Sequence, residues 1–156
     1  MNKKYAVLVV FVVLAGATFF FFKRSAQEEL RPPFVTIGKH AFSVGVARTK
    51  EEQDRGLVKT DTVCRECGML FKKKKKNVYR FWMKDMRFPI DILWIREGKI
   101  VHIEEEVDFK DQKRIYAPSE PADSVLEINA GLSRGLGIKV GQTVSVSLFS
   151  SSQNGF

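Results

Sequence analysis

The densest run of chemically capable residues is Phe81-Trp82-Met83-Lys84-Asp85-Met86-Arg87-Phe88-Pro89-Ile90-Asp91. If Ile90 to Ile95 is a strand, alternation puts Ile90, Ile92 and Trp94 on one face. Asp91 then shares the other face with Leu93 and Ile95. With both faces covered, Asp91 is a buried carboxylate in need of a cation, and Lys84 is the nearest candidate. Glu127, between Leu126 and Ile128, poses the same question. A buried, paired charge is either scaffold or part of a site. As a site, Asp91, Glu127 and Lys84 would be acid–base and electrostatic groups, with Tyr116 or Ser119 assisting and Trp82 beside them.

Other patterns fail on their own requirements. Gly131-Leu132-Ser133-Arg134-Gly135 matches the nucleophile elbow of serine hydrolases. That chemistry needs an acid and then a His later in the chain. No Asp, Glu or His follows Ser133. Gly135-Leu136-Gly137 starts like a dinucleotide loop, but Val140 stands where the third glycine belongs. Cys64 and Cys67 would need two further zinc ligands, and the chain offers only His40 and His102. The pair reads as a local disulfide or as two plain thiols in a loop. A bridge there closes a four-residue loop and is worth only ~2 kcal/mol. His40 and His102 read as half-exposed strand residues. No metal and no cofactor is expected.

The formal charge of +8 suggests nucleic acid until it is located. Lys3, Lys4, Lys23 and Arg24 flank an apolar segment, and Lys72 to Lys76 form one tract. With those nine removed the remainder sums to −1. A nucleic-acid face spreads its cations among aromatics, so nucleic acid is not an expected partner, and the tract reads as a solvated loop.

The apolar segment Tyr5 to Phe22 has 18 residues and no charge. As a helix it would be about 27 Å long, close to a hydrocarbon core. It reads as a membrane anchor, with a cleaved signal peptide as the alternative because Ala15-Gly16-Ala17 resembles a cleavage site. The flanking charges give no support to export. The domain organisation is therefore 1–24 membrane anchor or signal peptide, 25–33 linker, 34–149 globular domain and 150–156 disordered tail. Within the domain, Phe34 to Ile37 and Phe42 to Val46 suggest a hairpin around Gly38-Lys39. Thr49-Lys50-Glu51-Glu52 fits a capping box opening a short helix that ends near Gly56. Strand patterns at Val78–Met83, Ile90–Ile95, Ile100–Ile103, Val125–Ile128 and Thr143–Leu148 follow. A long connection runs from Glu104 to Pro121, and a helical turn or two lies within Asn129 to Leu136. Six or seven strands and two short helices make an α+β domain, β-rich, as a curled sheet or partly closed barrel.

Several ordered motifs also carry a resemblance. Arg55-Gly56-Leu57, Gly68-Met69-Leu70-Phe71, Phe81-Trp82-Met83-Lys84, Pro89-Ile90-Asp91-Ile92, Val125-Leu126-Glu127-Ile128-Asn129-Ala130-Gly131 and Gly137-Ile138-Lys139-Val140-Gly141 resemble the family called domain of unknown function 192. The resemblance runs from about Phe34 to Leu148. It implies a small bacterial or archaeal protein, often with a signal or anchor, and a compact β-rich α+β fold. This chain departs from the family at Asp85-Met86, where Asn-Thr is usual, and at Val58, where Met is usual. The cysteines and the lysine run are local additions. The preference for an extracytoplasmic domain rests on this resemblance and on the signal-like N-terminus. The expected function is an anchored accessory module that binds a small molecule or an envelope partner. The alternative is a carboxylate-based enzyme with Asp91, Glu127 and Lys84 in its site.

Overall fold

The computed structural model describes residues 32–58 and 60–148. The segment Tyr5 to Phe22 and the tail 150–156 lie outside the described residues, among which no helix is long and apolar enough to cross a membrane. Pro32–Leu148 forms one compact unit.

The chain opens with the hairpin β1 (Phe34–Ile37) and β2 (His40–Ala47), turning at Gly38, whose φ of 58° suits glycine. The helix α1 (Lys50–Arg55) starts on the expected capping box: Thr49 Oγ1 accepts from Glu52 N at 3.2 Å, and Glu52 Oε2 accepts from Thr49 N at 2.9 Å. Gly56 ends it with φ 48°. This helix is the crossover that lets β3 (Cys67–Asn77) lie parallel to β2. Then come β4 (Phe81–Trp82), β5 (Ile90–Arg96), β6 (Lys99–Val107), β7 (Ile115–Tyr116), β8 (Ala122–Asn129), α2 (Leu132–Gly135) and β9 (Val144–Ser147).

Seven strands form one sheet in the order β6-β5-β8-β3-β2-β1-β9, and β4 pairs with β7 in a separate ribbon. The sheet curls until its edges meet at one end. Lys99 bridges to Thr143, Gly141 N donates to Ile100 O at 2.8 Å, and Val144 N donates to Gly98 O at 2.8 Å. The result is the curled half-barrel with two short helices that the pattern predicted.

Alternation along β5 divides the core as expected. Leu93 and Ile95 enter an inner cluster with Phe42, Leu70 and Leu126, inside the curl. Ile90, Ile92 and Trp94 enter an outer cluster with Phe71, Met83 and Tyr116, under the β4–β7 ribbon. Trp94 is fully buried, and its indole N–H donates to Tyr79 O at 2.9 Å, which satisfies the one polar atom it carries inward. Strand β3 must pass close to β8. A Cβ at Gly68 would sit 2.3 Å from Glu127 O, so only glycine fits there.

Three expectations change. Of the strand pattern Val78–Met83 only Phe81–Trp82 is a strand, as β4. The tract Lys72–Lys76 is the outer half of the 11-residue strand β3, not a loop. Lys72 and Lys73 are half-buried while Lys74 to Lys76 stay exposed, and a run of like charges hides that difference. The long connection is also shorter than expected, because Glu104 to Val107 continue β6 and Ile115–Tyr116 form β7. Cys64 and Cys67 are bridged, with Cα atoms 5.0 Å apart. Asn129 Nδ2 donates to Cys64 O at 2.8 Å and so pins that loop to the end of β8.

Candidate functional site

Asp91 is fully buried, as the strand-face argument required, but among the described residues no cation meets it. Its Oδ1 accepts from Glu106 N at 2.8 Å and Gly131 N at 2.9 Å, and its Oδ2 accepts from Ser133 N at 2.8 Å. The carboxylate thereby caps α2 across the sheet, supplying the acceptor that Gly131 at the N-cap lacks. The expected pairing with Lys84 is therefore corrected. Lys84 is exposed on the outer side, and backbone amides replace it. Ser133, in the rejected hydrolase motif, is fully buried beside this network.

Glu127 lies one strand away on the opposite face. In the register of β8 and β5 it stands across from Ile92, and across from Met69 on β3. Alternation along β3 then places Phe71 and Lys73 on that same face. Glu127 is 6% exposed and makes no hydrogen bond among the described residues. Burial pushes its carboxyl up to about 8, with Lys73 pulling weakly the other way. At neutral pH it is mainly protonated.

Above Glu127 opens a cleft of about 290 Å³. Its base carries Phe71, Lys73 and Glu127, α1 supplies Gln53 and Arg55, and the rim carries Trp82 and Lys84. Gln53 fixes the lysine: its Nε2 donates to Lys72 O at 3.0 Å, and its Oε1 accepts from Lys73 Nζ at 2.8 Å. Three rings surround the same ammonium, with Tyr79 at 4.7 Å and Phe71 and Phe81 each at 5.6 Å to their centroids. Partial burial lowers the Lys73 pKa, while Asp54 and Glu127 oppose the shift.

Trp82 is 60% exposed, an unusual position for so large an apolar surface. It pairs across the ribbon with the exposed Ile115, while its neighbours Phe81 and Tyr116 turn inward. The Lys84 ammonium lies 5.6 Å from the Trp82 ring centroid. The turn that carries both is held by Met86 N donating to Met83 O at 3.1 Å. Asp85 there adopts φ 60°, a conformation that Asn and Asp tolerate better than most residues. The family's usual Asn and this chain's Asp thus meet one backbone demand, and Met86 joins the outer core.

Of the six residues singled out, Trp82, Lys84 and Glu127 converge on the cleft. Asp91 lies on the other face of the sheet. Tyr116 is buried in the outer core with Arg114 above its ring, and Ser119 is exposed on a bend outside the cleft. The alternative site built from Asp91, Glu127 and Lys84 is accordingly divided by the sheet. Lys73, Gln53, Arg55 and Arg80 were not anticipated. The signal for Lys73 was its place two residues after Phe71 on a strand. No cluster of three or more metal-ligating side chains occurs among the described residues.

Comparison with known proteins agrees with this architecture. A protein of unknown function from Novosphingobium aromaticivorans is 33% identical, with a TM-score of 0.67, over 73% of this chain and 83% of its own. A Sinorhizobium meliloti protein, provisionally described as a transcription regulator, is 27% identical with a TM-score of 0.68, over 73% of this chain and 91% of its own. Curated proteins give no match. The family DUF192, described as uncharacterized ACR, matches residues 34–146. Gly68 where two strands nearly touch, Asp91 as a cap and Glu127 under a cleft account physically for three of the motifs, and the chain belongs to the DUF192 family.

Proposed function

We propose that this domain is a ligand-binding accessory module that Tyr5–Phe22 holds at a membrane on the extracytoplasmic side. The observation that carries the binding role is the cleft over Glu127, where an unbonded buried carboxyl, a caged ammonium and an exposed tryptophan meet. A concave site with a few convergent polar groups and a perturbed titratable residue is the usual form of a small-molecule site. The Cys64–Cys67 bridge supports the extracytoplasmic placement, because disulfides persist chiefly in oxidising compartments. The length of the apolar segment supports the anchor.

Native mass spectrometry of the full-length protein, purified in mild detergent and soaked in a cell-derived metabolite mixture, tests the binding role. A bound small molecule that disappears in Trp82→Ala is the expected result. A bare mass, or a ligand retained in that variant, contradicts it. For the anchor, the full-length protein should stay in membranes after a carbonate wash. A soluble chain beginning near Thr18 would reveal a cleaved signal peptide instead.

A second reading has one observation in its favour. A carboxyl that stays protonated at neutral pH can serve as a general acid toward a bound substrate. In that case Glu127→Gln abolishes turnover and spares binding, and Asp91 has no part in the chemistry.

A further inference from the structure

The charged groups around the cleft are unevenly matched. Arg55, Lys73, Arg80 and Lys84 line it, against Asp54 and Glu127. Asp54 is already engaged by Lys50 on the surface of α1. Arg55, Arg80 and Lys84 make no ion pair among the described residues; outside the cleft Arg87, Arg96 and Arg134 are paired, while Arg48, Arg65 and Arg114 are not. Glu127, held mainly neutral by burial, presents a hydrogen-bond donor in place of a repelling charge. The cleft therefore offers cations and one neutral donor, and its unmet need is for a negative oxygen-bearing group.

Size and shape narrow the ligand further. At about 290 Å³ the cleft lies at the small end of ligand sites, which run roughly 300–1,000 Å³. That suits one ring with one anionic group. The exposed face at the rim is Trp82, extended by Ile115 directly across the ribbon. A flat or weakly polar ring can lie on such a surface, and Lys84 stands beside it. We propose that the cleft takes a single-ring oxyanion, with a carboxylate or phosphate among Lys73, Arg80 and Lys84 and the ring on Trp82. This inference rests on the ligand-binding reading above and names the ligand's chemistry.

The chain contains two tryptophans, of which Trp94 is fully buried, so ligand-induced changes in emission report on Trp82. Full-length protein in zwitterionic detergent is titrated with glucuronate, glucose 6-phosphate and glucose. The expected result is a saturable change with one or both anions and none with glucose, absent in Trp82→Phe. Lys73→Met should weaken the binding about tenfold, and the exposed Lys84→Gln about threefold, the range of one charged hydrogen bond or less. Whichever anion binds identifies carboxylate or phosphate as the source. Glucose binding as well as the anions do, or equal affinity in both lysine variants, overturns the oxyanion inference and leaves a cleft that binds rings. If none of the three sugars changes the emission through the millimolar range, the oxyanion inference falls; the cleft reading then falls too if native mass spectrometry also finds no bound molecule.

Discussion

Asp91 and Glu127 are carboxylates on neighbouring strands of one sheet, both nearly or wholly removed from solvent, and they have opposite roles in this structure. Asp91 faces the inner core and accepts three backbone N–H groups, so its charge is fully used in joining β5, β6 and α2. Glu127 faces the outer side and accepts none among the described residues, so burial outweighs the opposing pull of Lys73 and holds the proton. Burial by itself did not separate scaffold from site. On the proposed reading satisfaction does, because a bonded carboxylate is fixed and an unbonded one remains available to a ligand.

The largest expected effect lies on the scaffold side. Asp91→Ala leaves one buried and two part-buried amides without an acceptor; a fully buried one costs about 1–3 kcal/mol and the part-buried ones less, so the total should be on the order of 3–5 kcal/mol. Urea unfolding followed by tryptophan emission measures it. A loss below about 1 kcal/mol would mean that water replaces the carboxylate and that the cap is not structural.

Gly68→Ala should come next. Its Cβ would collide with Glu127 O, and β3 and β8 can separate only by breaking their ladder, at a cost of about 2–3 kcal/mol. The same shift moves Glu127, so ligand binding should weaken together with stability. Weakened binding at unchanged stability would place the effect in the cleft alone.

How much of this was legible follows from the kind of contact involved. Alternation along Ile90–Ile95 placed Asp91 on the inner face, and the same rule applied to Leu126–Ile128 marked Glu127. Its partners could not be read, because backbone amides at Glu106, Gly131 and Ser133 leave no side-chain signature in a sequence. Trp82 and Lys84 were found because their run was locally dense. Lys73 was missed because four other lysines surround it, and only the pairing of β3 with β8 turns it toward Glu127. The meeting of β6 with the segment before β9 was likewise hidden, since it joins residues more than forty positions apart. The capping box at Thr49 was legible in full, since both of its members lie within four residues.

That cap supplies the smallest effect. Thr49→Ala should destabilise the protein by about 1 kcal/mol. It should also loosen Gln53, and through it Lys73, so a modest loss of ligand affinity should accompany the change. Unfolding and the emission titration on one sample check both. An affinity loss larger than that of Lys73→Met would mean that α1 contacts the ligand directly.

The contrast between the two carboxylates is tested most directly by unfolding Asp91→Asn and Glu127→Gln beside the unaltered protein from pH 5 to pH 9. The folded-state pKa of Glu127 is raised to about 8, above an unfolded value near 4.5. Its contribution is therefore present at low pH and is lost as pH rises between those values, an effect of a few kcal/mol. Glu127→Gln should remove that slope and be the more stable protein at pH 9. Asp91→Asn should be less stable at every pH and keep the slope. A slope that survives in Glu127→Gln, or an Asp91→Asn protein as stable as the original, would contradict the assignment of one carboxylate to the scaffold and the other to the site.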